Sequence, residues 1–400
     1  MTGDLEAKGA PVRGSASAFP ADVYRARMSQ ARARLEARGL SALIVFAPES
    51  HYYLFGYDGG GYVFFQCAVL SVWHDEVVLL CRPPDVAQAE DTSLIDRIEV
   101  WRNAPDADPA GDLREIVVGM ALAGTRIGIE LDNYGCTGAA FSAVAGALEG
   151  ICDHEDASDI VRSLRVVKAD AELALVARAA GLADDAVRAV REAASPGVLD
   201  SVLTAAAMSA MLTGGGDVPP AGPLVNSGPR ALYGRGVGGA RALEDPDQIM
   251  IELSASYRRY NACIERTVLL GVPSSDQRRM HEVVSSTLHA MIDAFRPGEP
   301  LGRVDEIHRS TLDAAGFASQ RYAACGYSLG ATFRPSWMDA PPMIFAGNSL
   351  ELVPGMVFFP HVMLGDRRTG FAMGLGETVV VTEGAPTVLS DLGLDLIVVA

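Results

Sequence analysis

Residues 249–271, IMIELSASYRRYNACIERTVLLG, constrain the fold more than any other stretch of the chain. Apolar residues alternate on both sides of a short central turn, the period of two that pleated strands require. In the first strand Ile249, Ile251, Leu253 and Ala255 share one face, which leaves Glu252 and Ser254 on the other. In the second strand Cys263, Glu265 and Thr267 lie together, and Ile264, Arg266 and Val268 oppose them. The predicted hairpin therefore sets two glutamates and a cysteine among apolar neighbours, a pattern that needs a site to explain it.

The segments around the hairpin fall into two orders. Residues 21–39 have helical spacing of Val23, Met28, Ala31 and Leu35 and end at Gly39. Strand runs follow at SALIVFA, CAVLSVW, EVVLLC, IEVW and RIGIEL, with a helix in GAAFSAVAGALEG, which predicts an α/β domain over residues 19–160. Helices are expected at 170–193, 203–212, 277–294 and 304–314, and with the hairpin and late strands they predict an α+β domain over 161–400. The aromatic-rich YYLFGYDGGGYVFFQ, residues 52–66, reads as an irregular stretch and CGYSLGATFRPSWMD, residues 325–339, as a loop that walls a site. Residues 1–18 are expected to be a flexible lead, with no apolar run of a secretory signal.

Composition narrows the function. A net charge of -17 and a pI near 4.8 repel nucleic acid and anionic membrane alike, so the expected partner is a small molecule, with no nucleic acid and no membrane. No apolar run is long enough for a membrane span. Six cysteines without a C-x-x-C pair fit a reducing compartment, and the expected location is cytoplasmic.

Few short motifs carry chemistry by themselves. GRGVGG matches G-x-G-x-x-G but lacks the strand before it and the helix after it, so it predicts a loop; Arg230 and Arg235 there could fork onto a carboxylate. His281-Glu282 lacks the second histidine of a zinc-protease helix, and no G-x-S-x-G elbow is present. His361 interrupts an apolar strand after a Pro-Gly turn, and Glu377 stands at the mouth of a strand at 379–382.

In order, YYLFGYDGGG, DIVRSLRVVKADAEL, the NSG loop with the hairpin, CGYSLG, LVPGMVF and GETVVVTEG resemble the creatinase and Xaa-Pro aminopeptidase superfamily. The resemblance implies an α/β N-terminal domain and an α+β pita-bread catalytic domain. Metallopeptidases of that superfamily bind two metal ions through two aspartates, a histidine and two glutamates. Those five positions fall at Glu252, Cys263, Tyr327, His361 and Gly376, so the resemblance points to the metal-free creatinase and ectoine hydrolase branch, with neither metal nor cofactor expected. Glu265, in IERT, coincides with the glutamate that holds a guanidinium-bearing substrate in creatinase. The creatinase histidine aligns at Arg235, and its substrate-binding arginine, contributed across a homodimer, aligns near Phe64.

The expected activity is metal-independent hydrolysis of a non-peptide C–N bond in a small zwitterion. Glu265 or Glu252 anchors the cation, and one of these or Glu377 activates water or attacks. Arg235 or Arg334 holds the carboxylate. Tyr62, Phe64, Tyr327, Trp337 and Cys263 shape the pocket, with His361 as proton carrier. The implied assembly is a homodimer with its site near the subunit interface. The residues leave two alternatives open: a metal-dependent peptidase or lyase built on Glu252, Cys263, His361 and Glu377, and a non-catalytic binding protein.

Overall fold

The computed structural model describes residues 14–236 and 238–399. The chain divides into two compact units, Met1–Arg165 and Val166–Ala400. Of the expected flexible lead, residues 1–13 lie outside the described residues. Residues 14–16 are held in place instead: the Gly14 and Ala16 amides donate to the Glu90 and Asp91 carbonyls at 3.2 and 3.0 Å.

The first unit runs α1 (Ala21–Ala37), β1 (Ala42–Val45), α2 (Pro48–Phe55), β2 (Cys67–Ser71), β3 (Val77–Cys81), α3 (Val86–Thr92) and β4 (Arg97–Val100). It continues with α4 (Pro109–Gly119), β5 (Arg126–Ile129), α5 (Gly138–Leu148), β6 (Asp153–Asp156) and α6 (Ser158–Arg165). Its six-stranded sheet has the order β4-β3-β2-β1-β5-β6. Alternation in the strands feeds two cores. Leu43, Val45, Leu70 and Leu79 pack against α1, α2 and α6 on one face, and Ile44, Val69, Val78 and Ile127 against α4 and α5 on the other.

The stretch 52–66 is not irregular throughout, because its first four residues complete α2. Seven of the eight α2 residues are buried, so no polar face marks the helix in the sequence. Glu130 anchors its start, accepting from the Phe46 and Ala47 amides at 3.1 and 2.9 Å and from Ser50 Oγ at 2.6 Å.

The second unit begins with α7 (Asp170–Ala193), α8 (Asp200–Thr213), β7 (Leu224–Ser227), β8 (Asp247–Tyr257) and β9 (Tyr260–Leu270). It goes on through α9 (Ser275–Asp293), α10 (Gly302–Ala314), β10 (Gly326–Ser328), β11 (Val357–Asp366), β12 (Phe371–Gly376), β13 (Val379–Val380), β14 (Thr387–Val388) and β15 (Ile397–Val399). The strands join in one nine-stranded sheet, β14-β13-β11-β12-β9-β8-β7, with β10 beside β11 and β15 parallel to β9.

The hairpin forms as the alternation predicts. Its turn is Arg258-Arg259, both with positive φ (47° and 67°), the geometry that lets a two-residue link follow the strand twist. Ile249, Ile251, Leu253, Ala255, Ile264 and Val268 pack against α7 and α8. A second core, under α9 and α10, takes Phe358, Val362, Leu364, Met373 and Leu375 from β11 and β12. Both helix pairs thus press on the sheet and leave the other face of β8 and β9 free to build a cavity. Among the described residues, no helix is long and apolar enough to cross a membrane.

Candidate functional site

The register of the hairpin pairs Met250 with Thr267, Glu252 with Glu265, and Ser254 with Cys263. Cross-strand partners share a face, so both glutamates and the cysteine look away from the α7/α8 core. Two buried carboxyls directly opposite one another cannot both be charged at low cost. Burial pushes Glu265 well above the usual carboxylate range, and the neighbouring Glu252 pushes it further while Arg266 draws it back. Burial also raises Glu252, to about 7, against a hydrogen bond from Tyr327 and the charge of Arg235.

Glu252 lines a cavity of about 460 Å³ in the second unit. Around it stand Arg235 from the Gly-rich loop, Tyr327 from β10, Trp337 from the following loop and His361 from β11. Trp337 Nε1 donates to Tyr327 Oη at 2.7 Å, and Tyr327 Oη donates to Glu252 Oε1 at 3.3 Å. Indole can only donate, so this direction is fixed, and the chain orients the Glu252 carboxyl. The Tyr327 ring also packs on Phe359 and His361, whose own rings stack with centroids 5.3 Å apart.

His361 is pushed down to about 4, mainly by burial and also by nearby His308, so it is a neutral imidazole at physiological pH. Its Nδ1 lies 3.7 Å from Glu265 Oε2, too long for a hydrogen bond. Neither Glu265 oxygen nor His361 Nδ1 has a hydrogen-bond partner among the described residues. A neutral base on the cavity wall therefore faces a neutral acid one layer behind it.

Several expected site residues are placed differently. Glu265 does not line the cavity; it is fully buried behind His361, in space kept open by Gly374, where a Cβ would collide with its carboxyl. Cys263 is buried too, with its thiol pushed well up by burial. Glu377 leaves the site altogether: its carboxylate pairs with Arg266, on the opposite side of β9. Arg334 is exposed and outside the cavity wall, although Pro335, Ser336 and Trp337 beside it belong to that wall. Arg230 is taken by Asp200, which also accepts from Ser227 Oγ at 3.0 Å and the Gly239 amide at 2.9 Å. Tyr62 and Phe64 belong to the first unit, Tyr62 buried and Phe64 exposed with the Arg82 guanidinium 3.9 Å over its ring.

Sequence reasoning missed Tyr322, Met343 and Met363 in the wall. For Met363 the signal existed, because strand alternation from His361 puts Phe359 and Met363 on its face. Asn226, near the end of β7, ties down the Arg235 segment by donating from Nδ2 to the Gly236 carbonyl at 3.1 Å.

The donors here do not fit a dinuclear metal centre. At Gly376 a Cβ would stand 2.6 Å from Phe359 Cζ and 2.8 Å from His361 Cβ, so no carboxylate side chain has room there. Glu252, Cys263, His361 and Glu377 are not gathered either. Among the described residues, the group of three or more such side chains with donor atoms within 4.8 Å is Asp305, His308 and Cys325.

The raised Glu252 carboxyl has a consequence for stability. The folded state keeps this proton up to about pH 7, whereas an ordinary glutamate releases it near 4.5. Between those values the folded chain binds more protons than the unfolded one, so this group makes stability fall as pH rises, by at most about 1.4 kcal/mol per pH unit. Denaturant titrations of Glu252→Gln should show a flatter slope between pH 5 and 7 than wild type. Parallel curves would mean that Glu252 ionises normally.

The model of metallopeptidase family M24 matches residues 174–383, and that of the creatinase/prolidase N-terminal domain matches 27–167. Ectoine hydrolase of Halomonas elongata is 24% identical over 95% of this chain and 98% of its own. The Xaa-Pro dipeptidase of Pyrococcus furiosus is 27% identical over 56% of this chain and 63% of its own. The crystal structure of dipeptidase PepE from Mycobacterium ulcerans superposes with a TM-score of 0.83 at 24% identity, over 95% of this chain and 99% of that one.

Proposed function

The chain belongs to metallopeptidase family M24, and from that premise we propose a hydrolase that cleaves a non-peptide C–N bond of a small zwitterion without the family's paired metal ions. The family is one of hydrolases, and the chain has its two-domain, pita-bread architecture. Overall identity does not choose between relatives, since ectoine hydrolase and the Xaa-Pro dipeptidases stand at similar levels. The donor set supports the choice.

The observation that carries the reading is the Glu252–Glu265 pair beneath the cavity, close to an unpartnered neutral histidine. A buried carboxyl that titrates near neutrality can hold an amidinium or guanidinium and can accept a proton from water. Arg235, across the same cavity, complements a substrate carboxylate. Trp337 and Tyr327 supply flat walls whose orientation is fixed by their mutual hydrogen bond.

In this mechanism a water oxygen bonds to the electrophilic C–N carbon while its proton passes to Glu252. The carbon–nitrogen bond then breaks, and the leaving nitrogen takes a proton from the site. Glu252 returns the proton it took from water, which leaves the site as it began, and neutral His361 on the cavity wall steers the leaving nitrogen with a ring nitrogen. The substrate class is an amidine, a guanidine or a cyclic amidine carrying a carboxylate.

The test is a panel of ectoine, hydroxyectoine, creatine and Xaa-Pro dipeptides, followed by mass spectrometry. We expect turnover of an amidine or guanidino zwitterion that adding Mn²⁺ or Co²⁺ does not raise. Arg235→Ala should raise KM for that substrate about tenfold or more with a smaller change in kcat, as loss of a ground-state carboxylate contact does. Cleavage of the dipeptides alone, and only with added metal, would return the chain to the peptidases.

A further inference from the structure

Close to His361, α10 and the approach to β10 gather three side chains that the proposed chemistry does not use. Asp305, His308 and Cys325 are all buried, and one donor atom from each lies within 4.8 Å of the others. Asp305 and His308 are three residues apart on α10 and so lie on one helix face. Cys325 Sγ is 3.7 Å from Asp305 Oδ1, while Arg309 Nε holds Asp305 Oδ2 at 2.6 Å and leaves Oδ1 turned toward the cluster.

His308 is the telling member. It is 0% exposed, and neither ring nitrogen has a hydrogen-bond partner among the described residues. A neutral imidazole carries one N–H and one lone pair, and burying both unmet is unfavourable. Buried polar groups of folded proteins are nearly always satisfied by something.

We propose that Asp305, His308 and Cys325 form a zinc site that pins α10 to the strand carrying Tyr327. Carboxylate, imidazole and thiolate are three ligand types zinc takes in tetrahedral sites, and a fourth position remains for water. Metal–ligand bonds of about 2.0–2.3 Å imply donors about 3.5 Å apart, so the cluster must close by roughly 1 Å, within the reach of side-chain rotation. A thiolate and the Asp305 carboxylate offset the dication, while the Arg309 guanidinium on Asp305 Oδ2 is partly exposed to solvent, which screens its charge. The nearby Arg321 already has its own partner, Asp313, at 2.7 Å.

Burial pushes His308 down to about 4, which keeps its lone pair free at neutral pH, and pushes the Cys325 thiol up. Binding therefore replaces the thiol proton by the S–Zn bond and releases that proton to solvent. The site is separate from the cavity and does not depend on what the cavity hydrolyses.

The experiment is to strip the purified full-length protein with chelator and titrate it with Co²⁺. One equivalent should bind and produce a thiolate-to-cobalt charge-transfer band in the near ultraviolet, which Zn²⁺ displaces. Cys325→Ser should lose the band, His308→Gln should weaken Co²⁺ at least about tenfold, and Cys263→Ser should keep the band. Zinc should raise the melting temperature of wild type but not of Cys325→Ser. Wild type that binds neither ion at one equivalent overturns the proposal without any variant. A band that survives Cys325→Ser, or disappears in Cys263→Ser, overturns it too, because the thiolate ligand would then lie elsewhere.

Discussion

Glu252→Gln should lower kcat/KM for the zwitterionic substrate by about 10²–10⁴-fold, the usual contribution of a positioned general base. The amide keeps the shape of the carboxyl and can still accept from Tyr327 Oη, now 3.3 Å from Glu252 Oε1, but it cannot take a proton from water. The pH profile separates this role from a structural one. In wild type kcat/KM should rise through an inflection near 7, where Glu252 loses its proton, and the residual activity of the variant should lack that limb. Tyr327→Phe removes a hydrogen bond that favours the charged carboxylate, so it should move the inflection upward. A Glu252→Gln enzyme with wild-type rate and profile would remove Glu252 from the chemistry.

The largest effect on stability is expected at Arg266. This arginine is fully buried, pairs with Glu377, and donates to the carbonyls of Glu265, Gly376 and Leu392 at 2.8, 2.9 and 3.1 Å. Arg266→Met leaves the buried Glu377 carboxyl without its partner and three carbonyls short of a donor. Breaking one side of such a pair costs about 3–5 kcal/mol. Removing the partner as well, in Arg266→Met with Glu377→Met, should recover part of this loss, since no charge is then left uncompensated. Equilibrium denaturation of the wild type, the two single variants and the double variant reads the coupling directly. Single variants within 1 kcal/mol of wild type would show that the pair is solvated or replaceable, contrary to its burial.

Much of the fold was legible because apolar residues recur at helix or strand spacing, or run together in short buried strands. The helix Asp170–Ala193 agrees with its expected bounds, and the hairpin faces follow from alternation. Two elements that lack such a signal were not legible. The helix Pro48–Phe55 is buried all round, and the strand Asp153–Asp156 is DHED, polar throughout and half-exposed.

The site was legible to the extent that one face of one hairpin holds it. Alternation put Glu252, Glu265 and Cys263 together and sent Arg266 the other way. It could not reveal that the partner of Arg266 is Glu377, because that pairing spans 111 residues and depends on how β12 joins β9. For the same reason Glu377 was expected in a site from which it is excluded. Nor could any spacing rule connect His308 with Cys325, which meet only when α10 packs beside β10.

The packing at Gly376 bears on how easily this protein could change trades. A carboxylate at that position needs Phe359 to be shortened first, since the ring already fills the space a side chain would enter. Phe359 in turn stacks on His361 and packs on Tyr327, the two residues that frame the present cavity. A lineage moving from this arrangement toward a two-metal enzyme would have to repack Phe359, and with it two walls of the cavity, before position 376 could supply a ligand. No single substitution at position 376 can therefore add a carboxylate ligand while the Phe359 ring stays where it is.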